Sequence, residues 1–361
     1  MDRQKRPDRS RQITHDTQLD AYRALTMAYI VSVIHAIYWF DLFNEWIRSV
    51  LLFEMPVIFF IAGASQQLAR EKNLRQTVVN RCRRLLPPYY IFLACLMVLM
   101  LFTTWLCPRI GHWNADLRQI PLRDYLKILL TGGSDNVPFY GYTWFISCYL
   151  IISCLLPLQR KIINRIPHWL YVALLILACI GFSFIHLPMM EREVKNIVFY
   201  NFFYISGYLY YRQLKTKTIN MLAVVSTVVT ASLFISDQAL PMQEHKFPAD
   251  MVFLVFGTSA ICLLALVFQH IKFPSPKENQ GKTAALLGLW NRQGYVIYIW
   301  QTVTFTIVYS ATYKWIDRLP SDTVKFLILA PALFIISTII AAGYEKISRL
   351  TMIKQHSDDE T

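Results

Sequence analysis

The chain has 361 residues and a formal net charge of +13, with 55% hydrophobic and only 16% charged residues. Its mean hydropathy is +0.35. A soluble domain of this length needs more polar surface than that, so the expectation is a multi-pass membrane protein, and a nucleic-acid-binding role for the positive charge is set aside.

Backbone polar groups in lipid must be satisfied internally, which leaves helices or a closed barrel. The apolar runs are about 16–24 residues long and do not alternate, so they are read as helices. The predicted fold is an all-α integral membrane bundle of about ten transmembrane helices. They lie at roughly 24–43, 47–68, 89–106, 144–158, 168–187, 196–211, 219–236, 250–271, 294–311 and 325–347. Lys and Arg concentrate in the tails and in the loops on the amino-terminal side. That asymmetry puts both termini in the cytoplasm, with some attraction of the basic face to anionic lipid headgroups.

Residues 1–22 (MDRQKRPDRSRQITHDTQLDAY) form a basic, polar tail. No small-residue cleavage site follows the first apolar run, and a second run comes almost at once. The segment is therefore expected to be a cytoplasmic tail and not a signal peptide. One membrane domain over 23–349 follows, then a cytoplasmic tail at 350–361, and no internal repeat is visible.

Ionisable groups inside a span are costly and usually functional. Arg23 opens the first span, and His35 lies roughly 18 Å deeper at about 1.5 Å per residue. Glu54 lies in the second span, in RSVLLFEMPVIFFIAGAS. Measured from the short turn between these spans, His35 and Glu54 share a depth on the order of 10–12 Å from the outer face. A carboxylate there would hydrogen-bond the imidazole, orient it and raise its basicity. A purely structural pair, or a glutamate facing the outer water, are the other readings.

NRCRRLLPPYY (80–90) puts Arg81, Arg83 and Arg84 at the cytoplasmic mouth of the third span, with Pro87 and Pro88 at its start. Guanidinium forks match phosphate oxygens, although inner loops are basic for topological reasons as well. The largest outer loop, about 107–143, contains an amphipathic segment from Leu122 to Leu130 suited to the membrane interface. The turn sequence TGGSDNVP comes after it.

Most of the nine tryptophans fall near span ends, as an aromatic belt does. Trp39 is ambiguous, and Trp300 is internal. The seven cysteines form no CxxC pair and read as small apolar fillers, so neither a disulfide framework nor a metal site is expected. NQGKTAALLG resembles a phosphate loop only in part, because Pro276 stands where its first glycine belongs.

Taken in order, LDAYRALTMAYIVSVIH, MPVIFFIAGA and RCRRLLPPYY resemble the type 3 family of integral-membrane acyltransferases, as do the later YTWFISCYLIISCLLP, FFYISGYLYY and YVIYIWQT. The resemblance covers nearly the whole chain. It implies ten or so helices in a bacterial cytoplasmic membrane, moving an acyl group, commonly acetyl, from cytoplasmic acyl-CoA to the hydroxyl of a glycan outside. Acyl-CoA is then a co-substrate, and no cofactor is held. The family's arginine and histidine in the first span correspond to Arg23 and His35, and its Arg-x-x-Arg pair to Arg81 and Arg84. In this reading His35 is the general base, or else carries the acyl group first, and Glu54 orients it.

Two departures bear on the site. The family usually has ten residues between its arginine and histidine, and this chain has eleven. At about 100° per residue, twelve steps turn the two side chains about 120° apart. A single π-helical turn would absorb the extra residue. Second, a late span often carries histidine where this chain has Gln301, which can hydrogen-bond a substrate but cannot take its proton. Relatives often add a soluble esterase-like domain, and this chain reads as the stand-alone form. A glycan or lipid-linked-sugar transporter would use the same polar residues as a pathway, but such carriers often show repeats and paired broken helices. A membrane assembly protein without catalysis is the third reading.

Overall fold

The computed structural model describes residues 16–106, 124, 141–186, 191–271, 273 and 281–358. The first fifteen residues, nearly all of the Leu122–Leu130 segment, the TGGSDNVP turn and Cys107 lie outside the described residues. Among the described residues the protein is all-helical, without a strand.

The first span is α1 (Thr17–Tyr29), a π-helical turn (Ile30–Ile34) and α2 (His35–Trp39) in one continuous rod. The π turn falls between Arg23 and His35, where it can absorb the extra residue in their spacing. Asp16 caps α1 by accepting hydrogen bonds from the Gln18 and Leu19 amides at 3.1 and 3.3 Å.

The second span is not the single helix expected. It is α3 (Glu45–Leu51) and α4 (Glu54–Leu68), broken at Leu52–Phe53. Pro56 explains the break. Its ring would meet the Leu52 carbonyl, and it has no N–H to bond there. In the first turn of a new helix the missing donor costs nothing, and that helix starts at Glu54, whose carboxylate favours a helix N-terminus.

The third helix, α5 (Leu74–Leu106), begins well before the predicted span. Arg81, Arg83 and Arg84 therefore lie on the helix and not in a loop, and Pro87 and Pro88 are inside it. The two prolines leave the Arg83 and Arg84 carbonyls without their usual helical donors.

The remaining helices are α6 (Trp144–Ile163), α7 (His168–Ser183), α8 (Glu191–Tyr210), α9 (Thr216–Ile235), the short α10 (Met242–Lys246), α11 (Met251–Phe268), α12 (Lys282–Thr312) and α13 (Asp322–Asp358). A helix lies over each of the ten predicted segments. Six helical stretches, among the described residues, are long and apolar enough to cross a membrane, namely 17–39, 45–68, 144–163, 216–235, 251–268 and 322–349. A shorter apolar helix covers His168–Ser183. Several helices turn large apolar side chains outward, among them Leu177 on α7, Val224 and Val228 on α9, and Leu327 and Ile339 on α13. Water penalises such a surface and lipid does not.

Helices α4 and α8 cross at Gly63 and Gly207. A Cβ on Gly63 would lie 1.8 Å from the Tyr204 carbonyl oxygen, and one on Gly207 would lie 2.0 Å from that of Phe60. Two backbones in this contact leave room for hydrogen only, the small-residue solution used by membrane helices. The crossing sets Phe59 against Tyr200, stacked at 4.8 Å, in a core that also buries Phe203, Tyr204 and Phe253.

The start of α1 meets the other helices at one end of the bundle. Arg23 reaches Ser65 of α4 and Asn291 of α12. Asp16 accepts from Tyr211 and Arg212 after α8, and Tyr22 donates to the Phe268 carbonyl of α11. These contacts define the Arg23 end of the bundle, and the opposite half of the first span is the His35 end.

Candidate active site

At the His35 end the helices enclose a cavity of about 530 Å³, with His35, Glu54, Trp39, Tyr142 and Lys246 in its lining. The π turn delivers His35 to the first position of α2. Trp39, one turn further on, stacks face to face on the imidazole, with centroids 4.3 Å apart and planes 14° apart. Phe305 backs the indole edge-on at 5.0 Å. Tyr142 is fixed by its own bonds. Its hydroxyl donates to the Ile299 carbonyl at 2.7 Å and accepts from Thr302 at 2.5 Å, while Tyr298 donates to its carbonyl at 2.6 Å.

His35 Nδ1 is buried without a hydrogen-bond partner among the described residues. Gln301 lies close beside the ring, within reach of a weak contact with it, is 1% exposed, and makes no hydrogen bond of full geometry through either amide atom. Unmade bonds on buried polar atoms are unusual in a finished core. Here His35 lines the cavity, where a ligand's polar atoms can complete its unmade bond, and Gln301 lies beside the imidazole without lining the cavity itself.

Glu54 shares that cavity, but its partner differs from the one expected. Lys246 donates to Oε1, and Oε2 is unpartnered. No hydrogen bond joins Glu54 to His35. An ammonium within reach offers a buried carboxylate far more than a neutral imidazole does, so the ion pair prevails.

Lys246 comes from the link between α9 and α11, and that link is anchored on three sides. The Met242 amide donates to Ser49 Oγ at 3.0 Å, and the Ala249 amide donates to Asn196 Oδ1 at 2.9 Å. His245 bonds Asp250 at 2.6 Å, and that carboxylate raises the His245 pKa above its ordinary value. Lys246 and Phe247 are thereby held against the cavity, with the ammonium 5.3 Å from the phenyl centroid.

Arg23 does not reach this cavity. Nη1 donates to Asp20 at 3.2 Å and to Asn291 at 2.8 Å, and Nη2 donates to Ser65. It fastens α1, α4 and α12 at the far end of the span. Arg84 is its electrostatic neighbour, and Arg81 lies over the Tyr149 ring at 6.0 Å. Three positions apart on one helix, Arg81 and Arg84 share a face, whereas Arg83 points about 100° away from Arg84; Arg81 is half-buried, and Arg83 and Arg84 are both exposed.

The structure thus gathers His35, Glu54 and Gln301 at one end and Arg23, Arg81 and Arg84 at the other. Lys246 was not expected. As one lysine in a basic protein, separated from Glu54 by most of the chain, it gave no signal in sequence. Trp39 gave a partial one, being an aromatic one turn from the histidine. Among the described residues no group of His, Cys, Asp and Glu side chains could hold a metal ion.

Comparison with curated proteins and with solved structures gives no match. A family model described as "Acyltransferase domain" matches residues 16–344. That match takes in Arg23, His35, Glu54, the arginines of α5 and Gln301, and with an all-helical chain carrying several membrane-length apolar helices it leads to one conclusion: the chain belongs to the acyltransferase 3 family and is a membrane acyltransferase.

Proposed function

We propose that the protein takes an acyl group, acetyl foremost, from acyl-CoA at the cytoplasmic face and transfers it to a glycan hydroxyl on the other side of the bilayer. The observation that carries this reading is the separation of two centres along one helical rod. The arginines are at one end, and His35, in its cavity, lies roughly 18 Å away at about 1.5 Å per residue. A long, flexible donor with phosphates at one end and a thioester at the other fits such a spacing.

In this reading the Arg23 end is cytoplasmic, the bundle crosses a bacterial cytoplasmic membrane about ten times, and both termini are inside. Arg81 and Arg84 hold donor phosphates, and Arg83 adds to the basic field at the mouth. Arg23 acts by positioning, since its donors are engaged on Asp20, Asn291 and Ser65. His35 removes the proton from the acceptor hydroxyl as its oxygen attacks the thioester carbonyl, and the departing thiolate of CoA takes a proton. The stacked Trp39 fixes the imidazole plane. Gln301, beside the imidazole, offers its amide to the substrate bound at His35. The Glu54–Lys246 pair shapes the cavity wall and keeps one carboxylate oxygen available.

The test uses membranes containing the expressed protein and their native glycans, with labelled acetyl-CoA on the cytoplasmic side. Label should pass to the glycan fraction. No transfer from acetyl-CoA or succinyl-CoA, with the protein folded and glycans present, would contradict the reading.

A further inference from the structure

Arg160 sits near the end of α6, in a stretch that reads by composition as an ordinary basic border. Its guanidinium reaches across to two other helices. Nη2 donates to the Gln66 carbonyl of α4 at 2.9 Å, and Cζ stands 5.0 Å from the centroid of the Tyr208 ring of α8. Its Nε is buried without a hydrogen-bond partner.

Arg160 is not isolated. Tyr204 is within electrostatic reach of both Arg160 and Arg81, and its ring meets the Tyr149 ring at 6.5 Å. Tyr149 lies beneath Arg81 and near Arg23, which in turn neighbours Arg84. Guanidinium groups from α1, α5 and α6 therefore lie within electrostatic reach of one or other of Tyr149 and Tyr204. Arg23 has Asp20 for a partner. Among the described residues no carboxylate pairs with Arg81, Arg84 or Arg160. With Asp20 the one carboxylate, among the described residues, paired within this group of arginines, the like charges of Arg81, Arg84 and Arg160 repel one another, and a bound anion relieves that repulsion. The unmade bond at Arg160 Nε points to the same kind of ligand.

We propose that Arg160 completes, with Arg81 and Arg84, a site for the phosphate groups of a CoA-type donor, an inference that rests on the acyl-CoA reading above. Cation–π contact with Tyr149 and Tyr208 holds two of the guanidinium groups in place before the anion arrives. The site spans two helices of the chain and not the Arg-x-x-Arg face of α5 alone.

The experiment measures CoA affinity calorimetrically for the full-length protein in nanodiscs of neutral lipid, over a series of salt concentrations, with a parallel set containing phosphatidylglycerol. Arg160→Gln should raise the CoA Kd about tenfold, the scale of one charge-assisted contact, and flatten its salt dependence. Arg160→Lys should keep the salt dependence, and the exposed Arg165→Gln should leave both unchanged. Unaltered CoA binding by Arg160→Gln, with Arg81→Gln weakened, would overturn the role of Arg160 while leaving the donor site standing. Absence of CoA binding by the wild type would overturn the donor reading and this inference with it. Loss of bound phosphatidylglycerol with unchanged CoA affinity would show that the anion is a lipid headgroup. Lower affinity and lower thermal midpoint in both Arg160 variants, at unchanged salt dependence, would show a structural role only.

Discussion

Lys246 donates a hydrogen bond to Glu54 Oε1, tying the α9–α11 link to the first turn of α4 inside the His35 cavity. Their side chains are only 7% and 2% exposed. Removing one member of a buried pair strands the other charge, at about 3–5 kcal/mol, whereas removing both costs much less. Lys246→Met should therefore lower the thermal midpoint markedly, and Lys246→Met with Glu54→Gln should regain most of the loss. Denaturation of the four proteins in one detergent gives the cycle. Additive losses would mean that the two side chains do not act as a pair.

The π turn at Ile30–Ile34 carries the one residue by which the Arg23–His35 spacing exceeds the family's usual one. Deleting Val33, a half-buried member of the turn, should restore a plain α-helix and keep both side chains in place. The deletion variant is expected to stay folded and to retain transfer activity within about tenfold of wild type, a cost of about 1.4 kcal/mol. A folded but inactive variant would mean that the π geometry itself is needed at His35.

Gly63 and Gly207 meet backbone and not side chains, so neither neighbour can yield by changing rotamer. Gly63→Ala should force α4 and α8 apart at a cost of about 1–3 kcal/mol or more. Its readouts are a lower thermal midpoint and a lower yield of monodisperse protein. The contrasting substitution is Gly343→Ala on α13, where nothing lies within 4 Å of the added carbon, and it should be neutral or better.

Much of this arrangement was legible in the sequence because it rests on local rules. Non-alternating apolar runs gave the helices. The count of residues from Arg23 to His35 allowed for a π turn, which is present, and equal depth brought His35 and Glu54 to one cavity. What failed was also local in cause. Pro56 breaks the second span, a signal present in the sequence and passed over. Pro87 and Pro88 were read as a helix start and lie within one. Distant pairings were illegible. Nothing in the sequence sets Lys246 apart from other lysines, or Arg160 apart from arginines that merely mark the inner face. Their meaning comes only from the packing that brings them to Glu54 and to Tyr204.

Gln301 separates stability from function. Buried beside the His35 ring, it makes no hydrogen bond of full geometry, and an amide so placed carries an unmet cost of about 1–3 kcal/mol. Gln301→Leu should leave the thermal midpoint unchanged or raised, while transfer falls by about tenfold or more through the loss of a substrate contact. Equal activity in the variant would remove Gln301 from substrate binding.

That the His35 imidazole carries out the transfer is checked by His35→Ala in membranes supplied with labelled acetyl-CoA. At matched amounts of folded protein, transfer to the glycan fraction should drop by about 10²–10⁴-fold, the usual worth of a general base, while CoA affinity at the Arg81 and Arg84 end stays at the wild-type value. Transfer at the wild-type rate in His35→Ala would contradict the account.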